Sequence, residues 1–183
     1  MKIIVITGPS GSGKSILSNK ISKILDDSII IKTDSYYKDN LFIKLISYFI
    51  KDIYDRLISI KNKDLILTIN SISDKENTTI FYNYDFKRKA SSKSERNLND
   101  YSNCRFIILE GIFAHRLEID YKKTINIVCR ESKETCFKRR LRRDRIERGR
   151  DSIEVNKKFN KSWYLFYKNS IKYINSNDII YMN

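Results

Sequence analysis

Gly8-Pro9-Ser10-Gly11-Ser12-Gly13-Lys14-Ser15 reads GPSGSGKS, and it lies where one hydrophobic period gives way to another. Upstream, Lys2 to Thr7 (KIIVIT) is a short apolar run of the length of a buried strand. Downstream, Ile16, Leu17, Ile21, Ile24 and Leu25 recur at helical spacing. Strand, glycine-rich loop and helix together form the context in which G-x-x-x-x-G-K-S holds the phosphates of a nucleoside triphosphate. Glycines at 8, 11 and 13 let the backbone approach an anion and aim N–H groups at it. The helix N-terminus adds positive potential, Lys14 supplies a movable cation, and Ser15 can hold magnesium. An ordinary glycine turn explains neither the Lys-Ser pair nor its fixed offset from Gly8.

Working outward, the periodicity predicts a strand at 2–7, a helix at 14–25, a strand at 28–32 and a helix at about 41–60. It continues with short strands at about 65–69 and 79–83, strands at 105–109 and 124–129, helices at 132–148 and 152–173, and a strand at 178–181. This alternation predicts an α/β fold, a P-loop NTPase-type parallel sheet flanked by helices, with catalytic groups at the carboxyl ends of the strands. The polar stretch Ala90 to Asp100 (ASSKSERNLND) reads as an exposed, mobile loop. With no Pro/Gly/Ser-rich linker, residues 1–183 are expected to form a single kinase domain, its lid at about 132–151.

The 36 Lys and Arg against 22 Asp and Glu give a net charge of +14, an attraction for anions that does not choose among phosphates, nucleic acid and acidic membranes. The longest apolar region, Leu41 to Ile60, is interrupted by Lys44, Lys51, Asp52, Asp55 and Arg56, so no membrane span is expected. The amino terminus carries no basic segment followed by an apolar h-region. Together with the spacing of Cys104, Cys129 and Cys136, which fits neither a disulfide framework nor a zinc site, this points to the cytoplasm or another reducing compartment.

Three further groups carry chemistry. Asp34 follows the second predicted strand and is a candidate general base beside the expected γ-phosphate, weighed against a helix N-cap. Glu110 closes the apolar run Phe106-Ile107-Ile108-Leu109 and can bind magnesium through water, or simply end a strand. Lys138 to Arg150 (KRRLRRDRIERGR) holds more arginines than one helix tolerates unless an anion or acidic residues compensate. Arg140 and Arg143 share a face there, and planar guanidiniums suit a lid over phosphates better than a nucleic-acid platform, which lacks its interleaved aromatics here. His115, the only histidine, reads as a surface or structural residue.

Taken in order, GPSGSGKS, TDSYYKD (33–39), YDFKRK (84–89), LEGIF (109–113) and RRLRRDRIERGRD (139–151) resemble the uridine kinase branch of the phosphoribulokinase/uridine kinase family. The resemblance implies phosphorylation of the 5′-hydroxyl of uridine or cytidine by ATP or GTP with Mg²⁺, in a homo-oligomer that is usually a tetramer, with no specific nucleic-acid or membrane partner. It assigns the triphosphate to Gly8, Ser10, Gly11, Ser12, Gly13, Lys14, Ser15 and Ile16 with Arg140 and Arg143. It assigns catalysis to Asp34, Lys14 and Arg143, and the metal to Ser15, Asp34 and Glu110. The acceptor falls to Asp34, Tyr37, Tyr84, Arg140 and Arg150. Lys89 and Lys158 stand where the family carries a base-reading histidine and glutamine. Lysine donates but does not accept, so it can meet a uracil carbonyl but not the ring N–H. The family's ribose-holding aspartate has no clear counterpart, Asp52 and Asp55 being the approximate candidates. Two alternatives stand beside this reading. One is a related kinase for a sugar phosphate or another nucleoside; the other is a non-catalytic nucleotide-binding module, against which the retention of Asp34, Ser15 and Glu110 argues.

Overall fold

Strand β1 (Lys2–Thr7) is buried from Ile4 to Thr7, and Val5 and Ile6 expose no surface at all. A strand covered on both faces belongs inside a parallel sheet with helices on either side. β1 pairs in parallel with β5 (Phe106–Glu110) on one side and β6 (Thr124–Cys129) on the other. β2 (Ser28–Lys32) joins outside β5, and β7 (Ile179–Met182) outside β6, giving the order β2-β5-β1-β6-β7. The computed structural model describes residues 1–182 except 51, 52, 54, 55, 118, 120–123 and 175–178, with 44, 47, 48, 171, 172 and 179–182 described by backbone alone.

The two-residue alternation of side chains sorts the core into two faces. Ile4, Ile6, Ile108 and Ile127 point to one side, where α1 (Lys14–Ile24) lays Leu17 and Ile21 on them. Val5, Ile29, Ile31, Ile107 and Leu109 point to the other, against Leu65, Ile69 and Ile72 of α3 (Asn62–Ser73) and Phe81 and Tyr84 of β3 (Thr78–Asp85). Val128 meets Phe166 and Ile174 of α5 (Ser152–Ile174). Each fully buried aliphatic side chain contributes up to about 1.5–3 kcal/mol. This core fixes the strand ends, where the polar residues sit.

The structure departs from the sequence expectations in three places. Residues 65–69 are helical, within α3, because the buried Leu65, Thr68, Ile69 and Ile72 recur at three and four residues, a helical period that their β-branched composition disguises. The helix expected at 41–60 is short: α2 (Leu41–Phe49), capped by the Asn40 side chain accepting from the Ile43 N–H, ends at Ile50, and Leu57–Ser59 forms a separate 3-10 turn. Ala90–Asn97 is no loop. It is strand β4, paired antiparallel with β3 from Asp85↔Ala90 to Thr78↔Asn97. Its side chains are almost all exposed, so backbone pairing rather than apolar alternation makes the strand.

Candidate functional site

The sheet register brings the functional segments to one edge. Ile6 and Lys32 both lie opposite Glu110, and Thr7 lies opposite Val128, so the residues after β1, β2, β5 and β6 leave the sheet at one level. Two glycines then let the segments touch. A Cβ on Gly11, whose φ is +91°, would come within 2.2 Å of the Cys136 carbonyl oxygen, so the loop can rest on α4 (Lys133–Arg148) only with glycine there. A Cβ on Gly111 would lie 1.7 Å from Thr33 Oγ1, which shows how closely the segment after β5 passes the one carrying Asp34.

The 8–15 loop turns into α1 through Gly13, with Ile16 N–H donating to the Gly13 carbonyl at 3.0 Å. Lys14 is buried and its Nζ donates to the Pro9 carbonyl at 2.9 Å, while Ser15 Oγ donates to Glu110 Oε1 at 3.1 Å. Burial pushes the Lys14 pKa below its ordinary value, against the Glu110 and Asp34 carboxylates. Burial also pushes the Glu110 carboxyl up, with Lys14 opposing and Asp34 reinforcing the rise. Asp34 sits in the 3-10 turn Thr33–Tyr36 directly after β2. Its Oδ1 is buried without a hydrogen-bond partner among the described residues, as are Ser12 Oγ and Thr33 Oγ1. A buried carboxylate oxygen left unpaired is costly unless something binds there. The Ser15 hydroxyl and the Asp34 and Glu110 carboxylates, one of whose oxygens is unpaired, are hard oxygen donors of the kind that suit magnesium.

The arginine helix α4 starts at Ser132, whose side chain accepts from the Thr135 N–H, and ends at Gly149 with φ +62°. Of its arginines, Arg143 reaches the loop, donating from Nη2 to Ser10 Oγ at 3.2 Å, and Arg139 donates to the Gly11 carbonyl at 3.4 Å. Arg140 turns the other way: it is buried, donates to Ser162 Oγ on α5 at 2.6 Å and lies over Phe159. Arg150 folds back onto Asp144, 3.0 Å away, and toward Glu154. Arg148 lies 4.0 Å from the centre of the Phe86 ring, and burial followed by repulsion from Arg143 lowers its pKa to about 10.

Phe86 belongs to an aromatic wall with Tyr84 and with Tyr37, which follows Asp34 on the segment after β2. Tyr37 and Tyr84 meet edge-on at 5.4 Å, Tyr84 and Phe86 at 5.1 Å, and Tyr37 and Phe86 at 5.9 Å. The β3–β4 hairpin is tied to the sheet by Asp39, which accepts from the Ser91 N–H at 2.9 Å and pairs with Lys61 at 3.5 Å.

Four predicted acceptor residues do not join this wall: Arg140, held on Ser162, Arg150, held on Asp144, and the two lysines, Lys89 and Lys158. Asp85 accepts from the Lys87 and Arg88 N–H groups and forces a turn in which Lys89, at φ +51°, is exposed. Lys158 is half-exposed on α5 and paired with Glu154. Asp52 and Asp55 lie outside the described residues. His115 is structural: buried, it bridges Thr7 Oγ1 at 2.9 Å and Ser170 Oγ at 3.0 Å. Cys104, Cys129 and Cys136 are buried free thiols, and no described helix is long and apolar enough to cross a membrane.

Sequence reasoning missed Asp144, Arg139 and Phe86. A signal existed for the first: a lone aspartate among the arginines of 139–150 is the compensating acid such a helix requires. Phe86 stood inside a quoted motif, but its contact with Arg148 is through space.

The model of the Phosphoribulokinase / Uridine kinase family matches residues 3–180. A protein of Haemophilus ducreyi named uridine kinase is 31% identical over 161 residues, covering 84% of this chain and 71% of that protein. One from Borrelia turicatae, also named uridine kinase, is 53% identical over 38 residues, 21% of this chain and only 18% of that protein's length. Among solved structures, one from Silicibacter sp., described provisionally as a fructose transport system kinase, superposes with a TM-score of 0.70 at 14% identity, covering 91% of this chain and 84% of its own, a likeness of fold alone. The chain belongs to the phosphoribulokinase/uridine kinase family.

Proposed function

We propose that this protein transfers the γ-phosphoryl group of ATP or GTP to the 5′-hydroxyl of a pyrimidine nucleoside, uridine or cytidine. The observation that carries the reading is the unpaired, buried Oδ1 of Asp34, a carboxylate whose charge acts on Lys14 and Glu110 on one hand and on Arg148, which lies over Phe86, on the other. A carboxylate so placed can take a hydroxyl proton from an acceptor lying on the aromatic side and aim its oxygen at a phosphate held on the other. The loop amides of 8–16 and Lys14 would cradle the triphosphate, with Arg143 closing on it from α4. Ser15, Asp34 and Glu110 would hold Mg²⁺, whose charge, when bound, neutralises the phosphate oxygens. The Tyr37, Tyr84 and Phe86 rings, steeply inclined to one another, would border the acceptor with apolar edges, and Arg148 over Phe86 would give it a donor.

The positive charge at that edge also favours a second reading, an acceptor that itself carries phosphate. A coupled assay of nucleoside diphosphate release over nucleosides and phosphosugars, with ATP and GTP as donors, separates the two. Magnesium-dependent transfer to uridine or cytidine is expected; transfer confined to phosphosugars would replace the acceptor, and none to any acceptor would remove the kinase reading.

A further inference from the structure

Asp144 exposes no surface, yet four guanidiniums converge on its carboxylate. On Oδ1, Arg143 donates twice, from Nη2 at 2.8 Å and Nε at 3.0 Å, and Arg148 Nη1 lies at 3.4 Å. On Oδ2, Arg150 donates at 3.0 Å and Arg140 Nε lies at 3.6 Å. Its main-chain carbonyl accepts from Gly149 N–H and from Arg150 N–H at 3.1 Å, so the same residue folds the turn that brings Arg150 back. Burial alone would raise the pKa of this carboxyl; Arg143, Arg148 and Arg140 reverse that and hold it below the ordinary range, so it stays charged.

The four arginines do not stop at Asp144. Arg143 goes on to Ser10 in the phosphate loop, Arg148 to Phe86 on the acceptor wall, and Arg140 to Ser162 on α5. One buried negative charge therefore sets guanidiniums on both sides of the candidate site, and four positive charges around it leave a surplus that an incoming phosphate can meet. Free arginine side chains lose much rotamer freedom on binding; ones already held by a carboxylate lose less. We infer that Asp144 is the positioning residue of the phosphoryl-transfer site, fixing Arg143 toward the donor and Arg148 toward the acceptor in one arrangement. The inference rests on the kinase reading above and adds to it a group that touches neither substrate.

Asp144→Asn keeps the side chain's size and removes its charge. In the purified protein kcat should fall about 10- to 100-fold, the scale set by small misplacements of reacting groups, while the affinity for an ATP analogue, measured by calorimetry, changes less than kcat. A double-mutant cycle separates positioning from general destabilisation: in the Asp144→Asn background, Arg143→Lys should cost nearly nothing further, because the interaction is already lost. The ¹⁵N spectrum of the arginine Nε–H groups supplies a readout without turnover. A slowly exchanging Arg143 Nε–H signal is expected in the parent and should collapse in the variant. Parent-like kcat in Asp144→Asn, full additivity with Arg143→Lys, or an unchanged Arg143 Nε–H signal would each overturn the inference. Should Asp144→Asn not fold, Arg150→Gln paired with Arg143→Lys tests the same link, since the two arginines share only the Asp144 carboxylate; additivity there would also overturn it. A parent that transfers no phosphoryl group sinks the kinase reading instead, with the Arg143 Nε–H signal still reporting on Asp144.

Discussion

Lys14 shows how much of a site can rest on one side chain. Its ammonium is buried, bonded to the Pro9 carbonyl and flanked by the charges of Glu110 and Asp34, so the loop already holds the cation where phosphate oxygens would meet it. Replacing Lys14 by Ala removes that charge and leaves the backbone donors of the loop. Affinity for an ATP analogue should fall about 10- to 100-fold, the equivalent of about 1.5–3 kcal/mol for a hydrogen bond to a charged group. Calorimetric titration measures it, and parent-like affinity would mean that the loop binds no triphosphate through this lysine. Lys14 was legible in the sequence because the loop that frames it, down to the Pro9 carbonyl, is one contiguous motif. Asp144 left a signal as the one aspartate among neighbouring arginines, but that Arg143 goes on from it to Ser10 and Arg148 to Phe86 is visible only in space. Lys89 and Lys158 were placed by counting residues from a motif, and the count ignores the Asp85 turn and the Glu154 pair that take them elsewhere.

Among the elements, β1, β5 and α5 meet at His115, whose ring is held by Thr7 and Ser170 and packed on Phe166 and Tyr173. Burial, helped by the nearby Arg116 charge, lowers its pKa from 6.5 to about 4. Between those two values the unfolded chain binds a proton that the folded chain refuses. The stabilising effect of the neutral ring is thus complete above pH 6.5 and is lost as pH falls toward 4, at up to about 1.4 kcal/mol per pH unit. Urea unfolding at a series of pH values should show this slope, and His115→Gln should flatten it; an equal slope in both proteins would place the titration elsewhere. The element level is also where sequence reading failed most clearly. α3 was hidden by β-branched residues that pack equally well in either period, and β4 by polar side chains that say nothing of backbone pairing. β1 and β5 were plain because burial on both faces leaves a nearly unbroken apolar run.

At the scale of the whole molecule, the parallel order β2-β5-β1-β6-β7 delivers the phosphate loop, Asp34 and Glu110 to one edge, and α4 and the β3–β4 hairpin close on that edge from two sides. The family match across residues 3–180 reaches into all of these elements. In the proposed reaction Asp34 takes the acceptor's proton while the loop holds the donor. Initial rates of γ-phosphoryl transfer from Mg·ATP to uridine, for the parent and for Asp34→Asn at saturating donor, test it most directly. The parent should turn over and Asp34→Asn should lose about two to four orders of magnitude in kcat with donor affinity largely kept; an Asp34→Asn variant that transfers at the parent's rate would contradict the claim.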